Sequence, residues 1–251
     1  MQRFTALVVA GVLFSAFSGD LFGGRTASAG TLAKAGVATG ARLVAAAAAA
    51  STSSLFDAAA WDAVDIGGVS SKVFALALAS AQSAVERGHA DPSTLTVIDF
   101  SKPSTAVRLW VYDLRLRKLL FEEHVAHGRN SGFDLPTKFS NEAESNMSSI
   151  GLYRAAEAYI GKHGYSLRLD GLEPGFNDHA RARAIVIHGA EYVNAQIAKV
   201  QGRLGRSLGC PAVRPEVARK LIDAVKEGGL VFAYYPDPAW LEVSKYLDHN
   251  P

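Results

Sequence analysis

From Val69 to Arg87, residues Val73, Leu76, Ala77, Ser80 and Ala84 recur at helical spacing, and Gly88 follows as a stop. From Pro92 the texture changes. Leu95 to Phe100, Val107 to Asp113 and Lys118 to Val125 are short runs of β-branched, leucine and aromatic residues separated by Ser, Pro and charged positions, which predicts strands joined by turns. Gly151 to Ala155, Tyr165 to Leu169, Ala184 to His188 and Leu230 to Tyr235 read the same way. A helix begins at Pro215 with Val217, Leu221, Ala224 and Val225 on one face, and Gly228-Gly229 ends it. The sum is a mainly β, mostly antiparallel domain with a few helices. Within it, His127 to Ile150 is a long polar, irregular segment of the kind that carries function or stays unstructured.

The N-terminal pattern differs. Arg3, the apolar stretch Leu7 to Phe17 and the small-x-small triplet Ala27-Ser28-Ala29 read as an export signal over residues 1–29. The stretch is shorter than the roughly 20 residues a membrane span needs. An uncleaved anchor is the alternative, and membrane contact is expected only through it. Residues 30–60 are rich in Ala, Ser, Thr and Gly and read as a linker. They are followed by a helical segment over 61–91 and a domain over 92–251. The expected location is the periplasm or cell-wall space.

Composition adds little: 49% of the 251 residues are hydrophobic, 20% are charged and the formal net charge is +2. No long Lys/Arg run is visible, so no nucleic-acid partner is expected. His163 and His179 lack partners at metal-ligand spacing, so no metal or cofactor is expected.

The single cysteine, Cys210, excludes an internal disulfide. In an exported protein it is a candidate reactive thiol, and the bland alternative is a small buried hydrophobe. Its setting favours reactivity. Gly205-Arg-Ser-Leu-Gly-Cys-Pro211 is a glycine-flanked turn shortly before a helix, and a helix N-terminus can lower a thiol pKa and offer N–H groups to an oxyanion. His188, ending an apolar strand, is the natural base. Gly202, Gly205 and the polar stretch Gln196 to Arg203 supply a loop through which the two could meet.

His188-Gly189 together with Ser207-x-Gly209-Cys210 resembles the signature of L,D-transpeptidases of the YkuD type. The wider match is to the branch described as murein L,D-transpeptidase catalytic domain proteins. It rests also on His127-Gly-Arg-Asn-Ser-Gly132, Phe139-Ser-Asn141, Ser148-Ser-Ile-Gly151, Gly161-Lys-His-Gly164 and Val231-Phe-Ala-Tyr-Tyr235, and covers about residues 95–238. The resemblance implies a sandwich- or barrel-like β fold. It also implies a Cys210 acyl-enzyme on a peptidoglycan stem peptide, resolved by an acceptor amine to give a 3–3 crosslink. It implies oxyanion donors among Cys210, Gly209 and Leu208, and inhibition by carbapenem-type β-lactams. An L,D-carboxypeptidase on the same site and a non-catalytic wall-binding protein are the alternatives.

The chain departs from the family pattern where Leu208 replaces a histidine and Ala212 an arginine. Arg206 and Arg214 are candidates for the missing guanidinium, since a guanidinium grips a carboxylate through two hydrogen bonds. Ser207, Gly189 and His127 are further substrate-binding candidates, and Ser131, Asn141, Ser145, Ser149 and Tyr192 could line the cleft.

Overall fold

In a computed structural model of the protein, residues 55–247 are described. The expected signal over 1–29 and the linker up to residue 54 lie outside them. Eight strands form one sheet: β1 (Thr94–Asp99), β2 (Leu109–Asp113), β3 (Lys118–Glu123), β4 (Gly151–Gly161), β5 (Gly164–Gly171), β6 (Val186–Gly189), β7 (Ala212–Val213) and β8 (Leu230–Tyr234). Their order is β3-β2-β1-β8-β4-β5-β6-β7. The sheet nearly closes on itself. Just past β3, Ala126 bridges Ala212 of β7, its N–H donating to the Ala212 carbonyl at 2.8 Å. Pairing is antiparallel except for β1 with β8 and β6 with β7, which are parallel.

The centre of the sheet explains the apolar runs. Every residue of β1 and β8 is buried. A strand covered on both faces loses polar alternation and reads as a continuous apolar stretch. Helices α1 (Ser71–Glu86) and α3 (Pro215–Val225) both pack against β1.

Helix α1 starts where the Ser70 hydroxyl accepts the Val73 N–H at 3.2 Å. It buries Val73, Phe74, Ala77, Leu78, Ala81 and Ala84, and Gly88 follows it at φ +71. Trp61 meets Phe74 edge-on at 5.1 Å and Tyr112 of β2 at 5.8 Å. The helical segment therefore shares one core with the β domain. So do Phe56, which is buried, and Leu55 and Ala60, which pack against that core although their composition reads as linker.

Two helices were not legible beforehand. Helix α2 (Ala195–Gln201) occupies the polar stretch expected to be a loop, and α4 (Pro238–Val243) follows β8. Asn194 caps α2 by accepting the Gln196 N–H, and Gly202 at φ +68 ends it. Among the described residues, no helix is long and apolar enough to cross a membrane.

Candidate active site

Strand β6 is pinned on both sides. His188 pairs with Ser166 of β5 and with Ala212 of β7. The chain enters β7 directly from Cys210, so the parallel pairing brings the end of β6 beside the cysteine turn. Cys210 and His188 line one cleft of about 360 Å³.

The turn is built rather than loose. The Ser207 hydroxyl donates to the Cys210 carbonyl at 2.6 Å and accepts the Gly209 N–H at 3.0 Å. The Ser148 hydroxyl donates to the Gly209 carbonyl at 3.0 Å. Gly209 sits at φ +129, and a Cβ there would meet the Met147 carbonyl oxygen at 2.8 Å. Only glycine fits both the angle and the space.

Ser207 lines the cleft and also braces the turn from inside, and it takes the Gly209 N–H. The Leu208 side chain is exposed at the cleft, next to Cys210.

The thiol has its own cradle. Cys210 Sγ lies 3.5 Å from the Val186 N–H, and it donates to the Ala184 carbonyl at 3.7 Å. Ala184 holds a left-handed φ of +53, a strained conformation for a residue with a Cβ. Burial pushes the thiol pKa up, against the opposing pull of the Val186 N–H, Arg183 and Lys162. Strand β7 separates Cys210 from α3 along the chain.

His188 Nδ1 lies 2.9 Å from the carbonyl oxygen of Gly189. A carbonyl only accepts, so Nδ1 carries the proton and Nε2 keeps its lone pair. Burial lowers the His188 pKa; the Gly189 carbonyl opposes this, and His163 and Lys162 add to it. The resting pair is thus a protonated thiol and a neutral imidazole. Gly189 itself fits closely, since a Cβ there would stand 3.0 Å from that of Ala218.

The remaining candidates divide. Arg206 lines the cleft, but its Nη1 donates to the carbonyls of Arg129 and Gly132 at 2.9 and 2.8 Å. Tyr192 also lines it. Arg214 does not. It faces a neighbouring depression and grips the buried Glu123 carboxylate with two bonds of 2.8 and 2.7 Å.

His127 is buried behind the site. Its Nδ1 accepts from Arg108 Nη2 at 2.8 Å, and burial, with Arg108 next in effect, lowers its pKa to about 4. It acts as a strut, and it does not line the cleft. Arg108, itself buried and drawn down to about 9, also donates to the Val125 and Lys102 carbonyls.

The polar segment from His127 to Ile150 is irregular but tightly bonded. Asn141 holds Asp178 and the His179 N–H, and Ser131 Oγ accepts the Ser148 N–H. Ser145 and Ser149 meet Arg183, a residue that sequence reasoning passed over. Arg183 Nη1 donates to the Ser140 carbonyl and to Ser149 Oγ, both at 2.6 Å. Its Nη2 donates to Ser145 Oγ at 3.1 Å and to the Met147 carbonyl at 2.7 Å. It lines the cleft beside Cys210 and ties the polar segment to the cysteine turn. The only sequence signal was a basic residue immediately before an apolar strand.

The fold is a nearly closed β sheet with a cysteine and a histidine lining one cleft. The family described as "L,D-transpeptidase catalytic domain" matches residues 66–234, and the chain belongs to it. Among curated proteins, none matches.

Several solved structures resemble the chain at low identity. An L,D-transpeptidase from Mycobacterium smegmatis is 15% identical with a TM-score of 0.37, over 57% of this chain and 59% of that one. One from Stackebrandtia nassauensis is 14% identical with a TM-score of 0.35, over 74% and 92%. An L,D-transpeptidase in complex with imipenem is 16% identical with a TM-score of 0.35, over 57% and 59%. The chain thus spans about three fifths of the length of the first and third.

Proposed function

We propose that the protein is a peptidoglycan L,D-transpeptidase that forms 3–3 crosslinks through an acyl-enzyme on Cys210. The observation that carries this is the locked tautomer of His188: Nδ1 is held by the Gly189 carbonyl, and Nε2 is left as a base in the cleft that also holds the thiol.

Neutral His188 takes the Cys210 proton as Sγ attacks the amide carbonyl between the third and fourth residues of a donor stem. The N–H groups of Leu208 and Cys210 receive the oxyanion. The C–N bond then breaks, and the imidazolium returns its proton to the departing amine of the terminal D-amino acid. A thioester remains. The side-chain amine of a second stem attacks it, gives its proton to His188 and expels the thiolate, leaving an amide crosslink. The thiol is half-buried and its pKa is raised, so His188 is needed to take its proton for attack. The substrate implies export to the wall compartment, in keeping with the expected signal.

Two measurements test this. Intact mass after exposure to imipenem should show a stoichiometric adduct that Cys210→Ala lacks. Disaccharide-tetrapeptide incubated with the enzyme should yield 3–3 dimers. Tripeptide monomers alone would make the protein an L,D-carboxypeptidase, and no product with no adduct would leave a wall-binding role.

A further inference from the structure

The cleft around Cys210 has an uneven charge. Its lining includes Lys162, Arg183 and Arg206 but no Asp or Glu. A cleft with cations and no carboxylate of its own is suited to an anionic ligand.

The three cations are not equally available. Arg183 spends its guanidinium on four acceptors of the polar segment. Arg206 gives Nη1 to two carbonyls, and its guanidinium lies over the Phe133 ring at 5.7 Å. Elsewhere Arg154, Arg168, Arg181, Arg214 and Lys226 each hold a carboxylate. Among the described residues, Lys162 has neither an ion pair nor a hydrogen bond from its ammonium.

Its position is defined by the fold. Gly161 pairs with Gly164, so Lys162 and His163 form the two-residue tip of the β4–β5 hairpin. Gly164 at φ +73 lets the chain reverse there. The His163 ring stacks on that of His188 at 4.3 Å, which holds the tip over the catalytic pair.

We propose that Lys162 anchors the terminal carboxylate of the donor stem peptide, supplying the cation that the cleft lacks where Ala212 stands. This rests on the reading that a stem peptide acylates Cys210. The chemistry fits the location. The carboxylate of the leaving D-amino acid is borne by the carbon next to the scissile nitrogen. A cation on the His188 side of the cleft would therefore draw that nitrogen toward the imidazole that must protonate it. The charge of Lys162 is felt at both reacting groups, lowering the pKa of Cys210 and of His188.

The test compares Cys210 acylation by two donor tetrapeptide stems, one ending in a free D-alanine carboxylate and one in its amide. The wild-type enzyme should prefer the carboxylate by about tenfold in kcat/KM, as expected for one charge-assisted contact. Lys162→Gln should lose that preference, mainly through KM, and Lys162→Arg should keep it. Lys162 is exposed on a turn, so unchanged thermal melting verifies the fold.

Equal use of both peptides by the wild type, or a preference that survives Lys162→Gln, overturns the anchor and leaves the transpeptidase reading standing. A preference lost in Arg206→Gln but kept in Lys162→Gln moves the anchor to Arg206. Acylation by neither peptide overturns the transpeptidase reading itself, and the anchor with it.

Discussion

The imidazoles of His163 and His188 lie nearly face to face, with ring centroids 4.3 Å apart and planes 21° apart. A second charge at that distance opposes protonation of His188, in addition to the effect of burial. The acid limb of kcat/KM should therefore fall below pH 6.5, the ordinary histidine value. His163→Phe keeps a flat ring and removes the charge, so the limb should move to higher pH. A pH–rate profile that does not shift would show that His163 only packs.

Arg183 should prove as important to the thiol as to the loop. Arg183→Met removes a cation that holds the Cys210 pKa down and frees the carbonyls of Ser140 and Met147. The thiol pKa should rise further, read as an upward shift in the pH dependence of iodoacetamide alkylation. Arg183→Lys keeps the charge but cannot span four acceptors, so it should restore the alkylation profile more fully than the turnover.

Gly209→Ala tests the cysteine turn. The new methyl would meet the Met147 carbonyl oxygen at 2.8 Å and Ile185 Cδ1 at 3.1 Å, at a φ of +129. Strain of this kind costs about 1–3 kcal/mol. Thermal melting should fall by several degrees, and imipenem acylation should fall by more than that loss accounts for, because the strain is relieved by moving Cys210. Wild-type acylation in a destabilised variant would separate the turn from the chemistry.

His127 makes stability depend on pH. Its pKa is lowered from 6.5 to about 4 in the fold, so the folded state resists a proton that the unfolded chain accepts. The resulting stability is full above pH 6.5 and is lost as pH falls toward 4, up to about 3 kcal/mol. Urea midpoints measured between pH 7 and pH 4.5 should decline, and His127→Asn should flatten the decline. An equal slope in the variant would place the titrating group elsewhere.

Much of the fold could be read along the chain. The apolar runs at Leu95 to Phe100 and Leu230 to Tyr235 correspond to β1 and β8, each buried on both faces. Pro215 and Gly228-Gly229 bracket α3 because proline suits the first turn of a helix and glycine its exit. Helix α2 was hidden because its polar residues carry a single buried side chain, Ala198, and so little periodicity. The parallel pairing of β1 with β8 was hidden as well, since nothing local distinguishes a parallel partner from an antiparallel one.

The same division runs through the site. Cys210 in its glycine turn and His188 before Gly189 were candidates from residue type, a local property, and the family resemblance singled them out; both line one cleft. Which side chains join them was decided by strand order and register. β5 lies between β4 and β6, and Ser166 pairs with His188, so the hairpin tip three residues earlier comes to rest over the histidine. The same geometry draws Arg183 into the cleft, turns Arg214 toward Glu123 and seals His127 against Arg108. Periodicity and turn chemistry specify most of the elements, but the convergence of side chains distant in sequence depends on long-range packing, and only the folded chain expresses it.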